Sequence, residues 1–175
     1  AYIIKTPNRM NKVTGVAECV SHMWKDKEYL IDHMDSVTTL EEAWHVLRDY
    51  PYMGPFMAYE VVTDLRHTYV LENATDIMSW ANPGPGAMRG LNRLTGRELG
   101  FCKRSHPWND EMKELLEIAT TERLDGELIP DTNFEMREIE GGLCEFDKYS
   151  RTVKKQGTTR SIYRHNKDLP LVEGL

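Results

Sequence analysis

The stretch Trp80–Leu94, WANPGPGAMRGLNRL, sets two glycines around a proline and follows them with two arginines four residues apart. Gly84 and Gly86 allow the backbone a sharp turn and a close approach to a ligand. A helix beginning near Ala87 would offer unpaired N–H groups and the positive end of its dipole at that turn. Arg89 and Arg93 would stand on one face, one turn apart, each able to grip two phosphate oxygens. The chemistry implied is binding of a pyrophosphate or of a DNA phosphate. A plain helix cap with two surface arginines accounts for the same residues, and the absence of GK[ST] excludes a Walker loop.

A second element of this kind comes earlier. YPYMGPFMAYEV lies between two helical patterns with few residues left for the turn, which gives helix, Pro-x-x-Gly hairpin, helix. Gly54 can take positive φ, and the next helix would present its N–H groups to a phosphate oxygen of a DNA strand. An ordinary αα-hairpin with a corner glycine is the simpler account of the pattern taken alone. The stretch resembles the hairpin of the helix-hairpin-helix DNA glycosylases, with Pro51, Gly54 and Ala58 matching. In that superfamily an essential Asp follows in a loop leading into a helix, and the resemblance points to Asp76 in NATDIMSW. Phe56 stands where the bifunctional members carry a nucleophilic Lys, which argues against lyase and ordinary glycosylase chemistry.

The elements that must position these residues are predominantly helical. Apolar residues recur at helical spacing from Val13 to Met34, and TTLEEAWHVLRDY opens with two overlapping capping boxes, Thr38 with Glu41 and Thr39 with Glu42. PFMAYEVVTDLRH places Pro55 at a first helical position with Ala58, Val61, Val62 and Leu65 on one side. PWNDEMKELLEIA carries acids in its first turn, where the dipole favours them. TNFEMREIEGGLCEFDKYSR starts with a capping box, Thr132 with Glu135. Gly141 and Gly142 interrupt that helix and predict close packing or a kink, because each disfavours a helix interior by about 1 kcal/mol. Only AYII and HTYVLE read as strand candidates. Trp80 is expected in the core, with a base-stacking role as the alternative.

At 175 residues the chain holds one domain, or one domain with an appendage. It is 40% hydrophobic and 29% charged, with mean hydropathy −0.57 and no apolar run long enough to span a bilayer. Cys19, Cys102 and Cys144 are far apart and form no CxxC or Cys/His cluster, which argues against a disulfide framework and a structural zinc site. The histidines are scattered, so no catalytic metal held by protein alone and no cofactor are expected. Net charge is −6, yet Arg151–Lys167, RTVKKQGTTRSIYRHNK, contains six Lys or Arg and no acid. That segment reads as a solvated tail or as a phosphate-contacting arm through Lys154, Lys155, Arg160 and Arg164. The expected organisation is a mainly α, helix-hairpin-helix glycosylase-like domain over 1–150 and a basic C-terminal arm over 151–175.

The hairpin, the Gly-Pro-Gly stretch and the distal EGGLCEFDKYSR together resemble the α-glutamyl/putrescinyl thymine pyrophosphorylase family, also described as amino acid:DNA transferases of phage thymine hypermodification. AYIIKTPNRMNK resembles that family too, where it follows further helices, so an N-terminal part is expected to be missing. The helical domain of 5-hmdU DNA kinases is a close relative with similar landmarks; MRGLNRL places the chain nearer the transferases. The resemblance implies transfer of an amino acid or polyamine to pyrophosphorylated 5-hydroxymethyluracil, with release of pyrophosphate, in an infected bacterial cytoplasm. The implied partners are DNA, a small amine or amino-acid donor and a DNA kinase, without a membrane. On this reading Gly84, Gly86, Arg89 and Arg93 stabilise the leaving pyrophosphate, and Asp76 orients or deprotonates the amine. Asp64 is a second acidic candidate, for which a solvated carboxylate is an equal account. Glu145, Asp147, Lys148 and Tyr149 take a supporting role on a salt-bridged helix surface. A non-catalytic DNA-binding helical module of a kinase and a DNA glycosylase are the alternatives.

Overall fold

The structure, a computed structural model, describes residues 6–121 and 134–156, which form seven α-helices and no strand. The periodic run over Val13–Met34 is two helices, α1 (Lys12–Lys25) and α2 (Lys27–Ser36). Asp26 separates them with φ −99° and ψ 18°, outside the helical range. Next come α3 (Leu40–Arg48) and α4 (Pro55–Leu65), joined by the short hairpin. The two expected capping boxes merge into one at α3: the Thr39 hydroxyl accepts from Glu42 N–H, while the Glu42 carboxylate reaches back to Thr38 N–H at 2.8 Å. Leu40, Ala43 and Leu47 of α3 are buried, as are Ala58, Tyr59 and Val62 of α4. Trp80 is buried against Trp44 and Tyr59 in edge-on ring contacts, so it belongs to the core and offers no face for a base. HTYVLE forms turns: Leu71 is buried and Val70 packs against the core from a loop, while Tyr69 is exposed.

The centre of the molecule is the pair α5 (Pro85–Leu94) and α7 (Met136–Val153), with α6 (Trp108–Thr121) beside them. α5 starts at Pro85, two residues before the expected Ala87, because Gly84 caps it and Pro85 takes the first helical position. The two helices run parallel, with Gly84 beside Glu140 at one end and Arg93 beside Gln156 at the other. They approach closely because α5 is bare where they cross. A Cβ on Gly90 would collide with the Leu143 backbone, and one on Gly86 would lie 2.5 Å from Cys144 Sγ. Ala87, Leu91, Met136 and Leu143 of the two helices are buried in the core. Gly141 and Gly142 have a different setting. α7 continues through them, and a Cβ on either would meet nothing within 4 Å, so the expected close packing is absent.

Arg97 holds the α5–α6 connection. Its guanidinium pairs with Glu111 of α6 through both terminal nitrogens, and its Nε donates to Asn92 Oδ1 at 3.0 Å. His106 also bonds Glu111, at 2.7 Å, and Arg97 lies over the Phe101 and Trp108 rings. At the start of α7 the cap is Glu135, paired reciprocally with Glu138, where Thr132 was expected. Glu135 also receives Arg66 Nη2 at 2.6 Å, which ties the end of α4 to the start of α7. The basic arm does not begin as a separate segment at 151, because α7 continues through Arg151 to Val153. Thr132, AYII, Arg160 and Arg164 lie outside the described residues.

Candidate nucleic-acid interface

The Gly-Pro-Gly turn does start a helix, but its N-terminus already meets a carboxyl group of the protein. Gly84 N–H donates to Glu140 Oε1 at 3.2 Å, with no side-chain cap from α5's own flank. Burial pushes the Glu140 carboxyl up, and the Gly84 hydrogen bond offsets only part of that. Gly86, expected to approach a phosphate, faces Cys144 of α7 instead. The same loop is fastened to the hairpin: Asn82 Nδ2 and Trp44 Nε1 both donate to Pro55 O, at 3.1 and 2.9 Å.

Arg89 and Arg93 share a face, as their spacing requires, and that face meets α7. Arg89 Nε donates to Asp147 Oδ2 and Arg93 Nε to Asp147 Oδ1, each at 2.9 Å. Arg151 Nε approaches Oδ2 of the same carboxylate at 3.1 Å. Asp147 is fully buried, which corrects its expected place on a salt-bridged surface. Burial alone would raise its carboxyl. Hydrogen bonds from Arg93 and Arg89, with the charges of Arg89 and Arg151, outweigh burial and hold it below the usual Asp range. Three guanidinium charges against one carboxylate leave a local excess of two positive charges.

The three arginines are used differently. Arg93 is 6% exposed; its Nη1 bonds Gln156 Oε1 at 2.9 Å, and its Nη2 is buried without a hydrogen-bond partner. Arg89 and Arg151 are 34% and 30% exposed and meet Asp147 through Nε. Among the described residues no hydrogen bond occupies their terminal nitrogens, so two guanidinium forks remain for an outside anion. Lys154 and Lys155 follow at the same end of α7, both exposed. The cations also offset the negative dipole ends that two parallel helices bring together there.

The hairpin differs in detail from its expectation. Gly54 has φ −65° and ψ 173°, an extended conformation open to any residue, and the left-handed position is Tyr52 at φ 66°. Gly54 is therefore not the conformational corner. It caps α4 without a side-chain bond, and a Cβ there would meet nothing within 4 Å. Pro51, Tyr52, Gly54 and Phe56 are all exposed. Neither conformation nor internal packing demands glycine at 54, and the open space over it is available to a partner's backbone.

Asp76 lies elsewhere. Its Oδ1 accepts from Leu40 N–H at 2.6 Å and its Oδ2 from Glu41 N–H at 3.1 Å, so it caps α3 at the end away from the hairpin. Asp64 is exposed on the last turn of α4. The fold brings Gly84 and the hairpin together through Pro55, and gathers Arg89, Arg151, Lys154 and Lys155 at the far end of α5 and α7. It joins neither acid to the arginines. Sequence reasoning missed Glu140, Arg151 and the central place of Asp147. Of these, only the four-residue spacing of Asp147 and Arg151 was visible as a signal. No helix among the described residues is long and apolar enough to cross a membrane.

A family model described as 5-hmdU DNA kinase, helical domain, matches residues 1–159. No curated protein matches the chain, and no solved structure does.

Proposed function

The chain belongs to the family of 5-hmdU DNA kinase helical domains, and on that premise we propose that it is a DNA-engaging helical module in the modification of 5-hydroxymethyluracil bases. The observation that carries this reading is the hairpin. Pro51, Tyr52, Gly54 and Phe56 are exposed there, and Gly54 leaves open space at a helix start that has no side-chain cap, where a phosphate strand can approach the backbone. The forks of Arg89 and Arg151, with Lys154 and Lys155, supply a second contact for the phosphate backbone.

Anisotropy titrations with a labelled duplex carrying 5-hydroxymethyluracil test this over a salt series. The logarithm of the binding constant should fall linearly with log salt, and Gly54→Leu and Arg89→Ala should each weaken binding. No binding at low salt, or full binding by both variants, rejects the module reading.

A second reading is the pyrophosphate-displacing transfer of an amino acid or polyamine. It is favoured by the excess positive charge around Asp147, which would stabilise a leaving pyrophosphate. It requires Asp76 to leave the α3 N–H groups it now caps, or another base to act. Incubation with DNA bearing pyrophosphorylated 5-hydroxymethyluracil and candidate amines, followed by nucleoside mass spectrometry, separates the outcomes. An aminated nucleoside supports transfer, free base supports a glycosylase, and unchanged nucleosides with retained binding support the module.

A further inference from the structure

The pair Gly141 and Gly142 lies in the middle of α7, where glycine disfavours a helix, and no atom lies within 4 Å of a Cβ on either. On α5 the room left by Gly86 and Gly90 is taken up by another helix. Gly142 also begins an outward stripe. Phe146, Tyr149 and Val153 follow it at spacings of four, three and four residues, which sets all four on one line along α7. The three side chains are 38%, 70% and 61% exposed, so about three helical turns present an apolar surface.

This stripe is complementary to itself when two copies lie antiparallel. With a two-fold axis between Phe146 and Tyr149, the Phe146 ring of each copy meets the Tyr149 ring of the other, and Val153 of each faces the bare Gly142 of the other. Charge has the same polarity. From Arg137 to Glu145 α7 carries three acids and one base, and from Lys148 to Lys155 it carries four bases and no acid. Antiparallel copies set each half beside its opposite, with the helix dipoles opposed, whereas a parallel pair would set like against like. Glu145 and Lys148, an ion pair within one copy, border the stripe near the axis and can exchange partners across it. Nucleic acid does not suit this surface, because its line is apolar and Glu138 and Glu145 stand along it. Arg151, two residues from both Tyr149 and Val153, turns instead toward Asp147, so its fork stays outside the pair.

We propose that α7 docks antiparallel on α7 of a second copy of this chain, through Gly142, Phe146, Tyr149 and Val153. One helix face is small for a specific interface, so the pair forms at micromolar or higher concentration. The contact does not depend on DNA engagement.

Sedimentation equilibrium of the full chain over about 1–500 μM tests this. The mass should rise from 20.3 kDa toward twice that value. Gly142→Leu fills space that the rest of the fold leaves open, and Tyr149→Glu puts a charge on an exposed position. Each should weaken association at least tenfold, while the urea midpoint of dilute Gly142→Leu is no lower than that of the parent. Glu145→Lys should weaken association several-fold, and Glu145→Lys/Lys148→Glu should restore it. A monomer at every concentration, a dimer that Gly142→Leu and Tyr149→Glu leave intact, or a charge-exchanged double variant as weak as Glu145→Lys would overturn the proposal.

Discussion

Arg93 Nε stands 2.9 Å from Oδ1 of Asp147, a carboxylate with no exposed surface. The arginine that sequence spacing assigned to an outside phosphate is thus committed, on one edge, to a buried acid on another helix. Removing the acid while the cations remain should be severe. Asp147→Ala is expected to destabilise the fold by about 3–5 kcal/mol, read as a lowered urea midpoint. The pH dependence has a definite sign. The folded value of Asp147 lies below its ordinary 3.8, so its contribution is complete above that value and is lost as pH falls below it. Asp147→Asn should lack this component of the acid-unfolding curve.

Glu140 behaves in the opposite way. Burial raises its carboxyl above the ordinary 4.5, so the folded state holds the proton more tightly than the unfolded chain does. Its effect on stability becomes unfavourable as pH rises from the unfolded value through the folded one. Glu140→Gln keeps an oxygen for Gly84 N–H and removes the charge. The gain of this variant over the parent should be larger at pH 7 than at pH 4, and an equal gain at both would refute the assignment.

Four glycines on the α5–α7 pair should separate into two groups. Gly90→Ala forces a methyl into the Leu143 backbone and should destabilise by about 1–3 kcal/mol. Gly86→Ala meets a cysteine side chain that can move, so its effect should be smaller. Gly141→Ala and Gly142→Ala add a methyl to open space within a helix and should each stabilise by about 0.5–1 kcal/mol. Thermal unfolding of the four variants checks the order.

Asp76→Ala removes both acceptors from the first N–H groups of α3 and should lower stability by about 1–3 kcal/mol. Asp76→Asn retains one acceptor and should lose less. Loss of DNA modification in the Ala variant alone, in proportion to its unfolded fraction, would mark Asp76 as an anchor of the helix. Loss in a fully folded Asn variant would mark it as chemical. Urea curves measured beside the nucleoside assay distinguish these outcomes.

Much of the helical framework was legible because helix formation depends on residues three and four apart. The Thr39–Glu42 cap, Pro55 at the start of α4 and the shared face of Arg89 and Arg93 are local relationships of that kind. The break at Asp26 was hidden because apolar periodicity runs through it. The Gly54 corner was misplaced because a Pro-x-x-Gly pattern does not say which residue turns left-handed, and Tyr52 does so.

The sequence by itself determined that this chain is helical, that its hairpin is short, and that its arginines stand one turn apart. Only the tertiary structure decided what those residues face. Asp147 lies 58 residues from Arg89, and Glu140 lies 56 from Gly84. Asp76 lies 36 residues from the Leu40 N–H it caps. No local pattern encodes such pairings. The first two follow from the close, parallel contact of α5 with α7, which Gly86 and Gly90 permit and which buries one acid among three arginines.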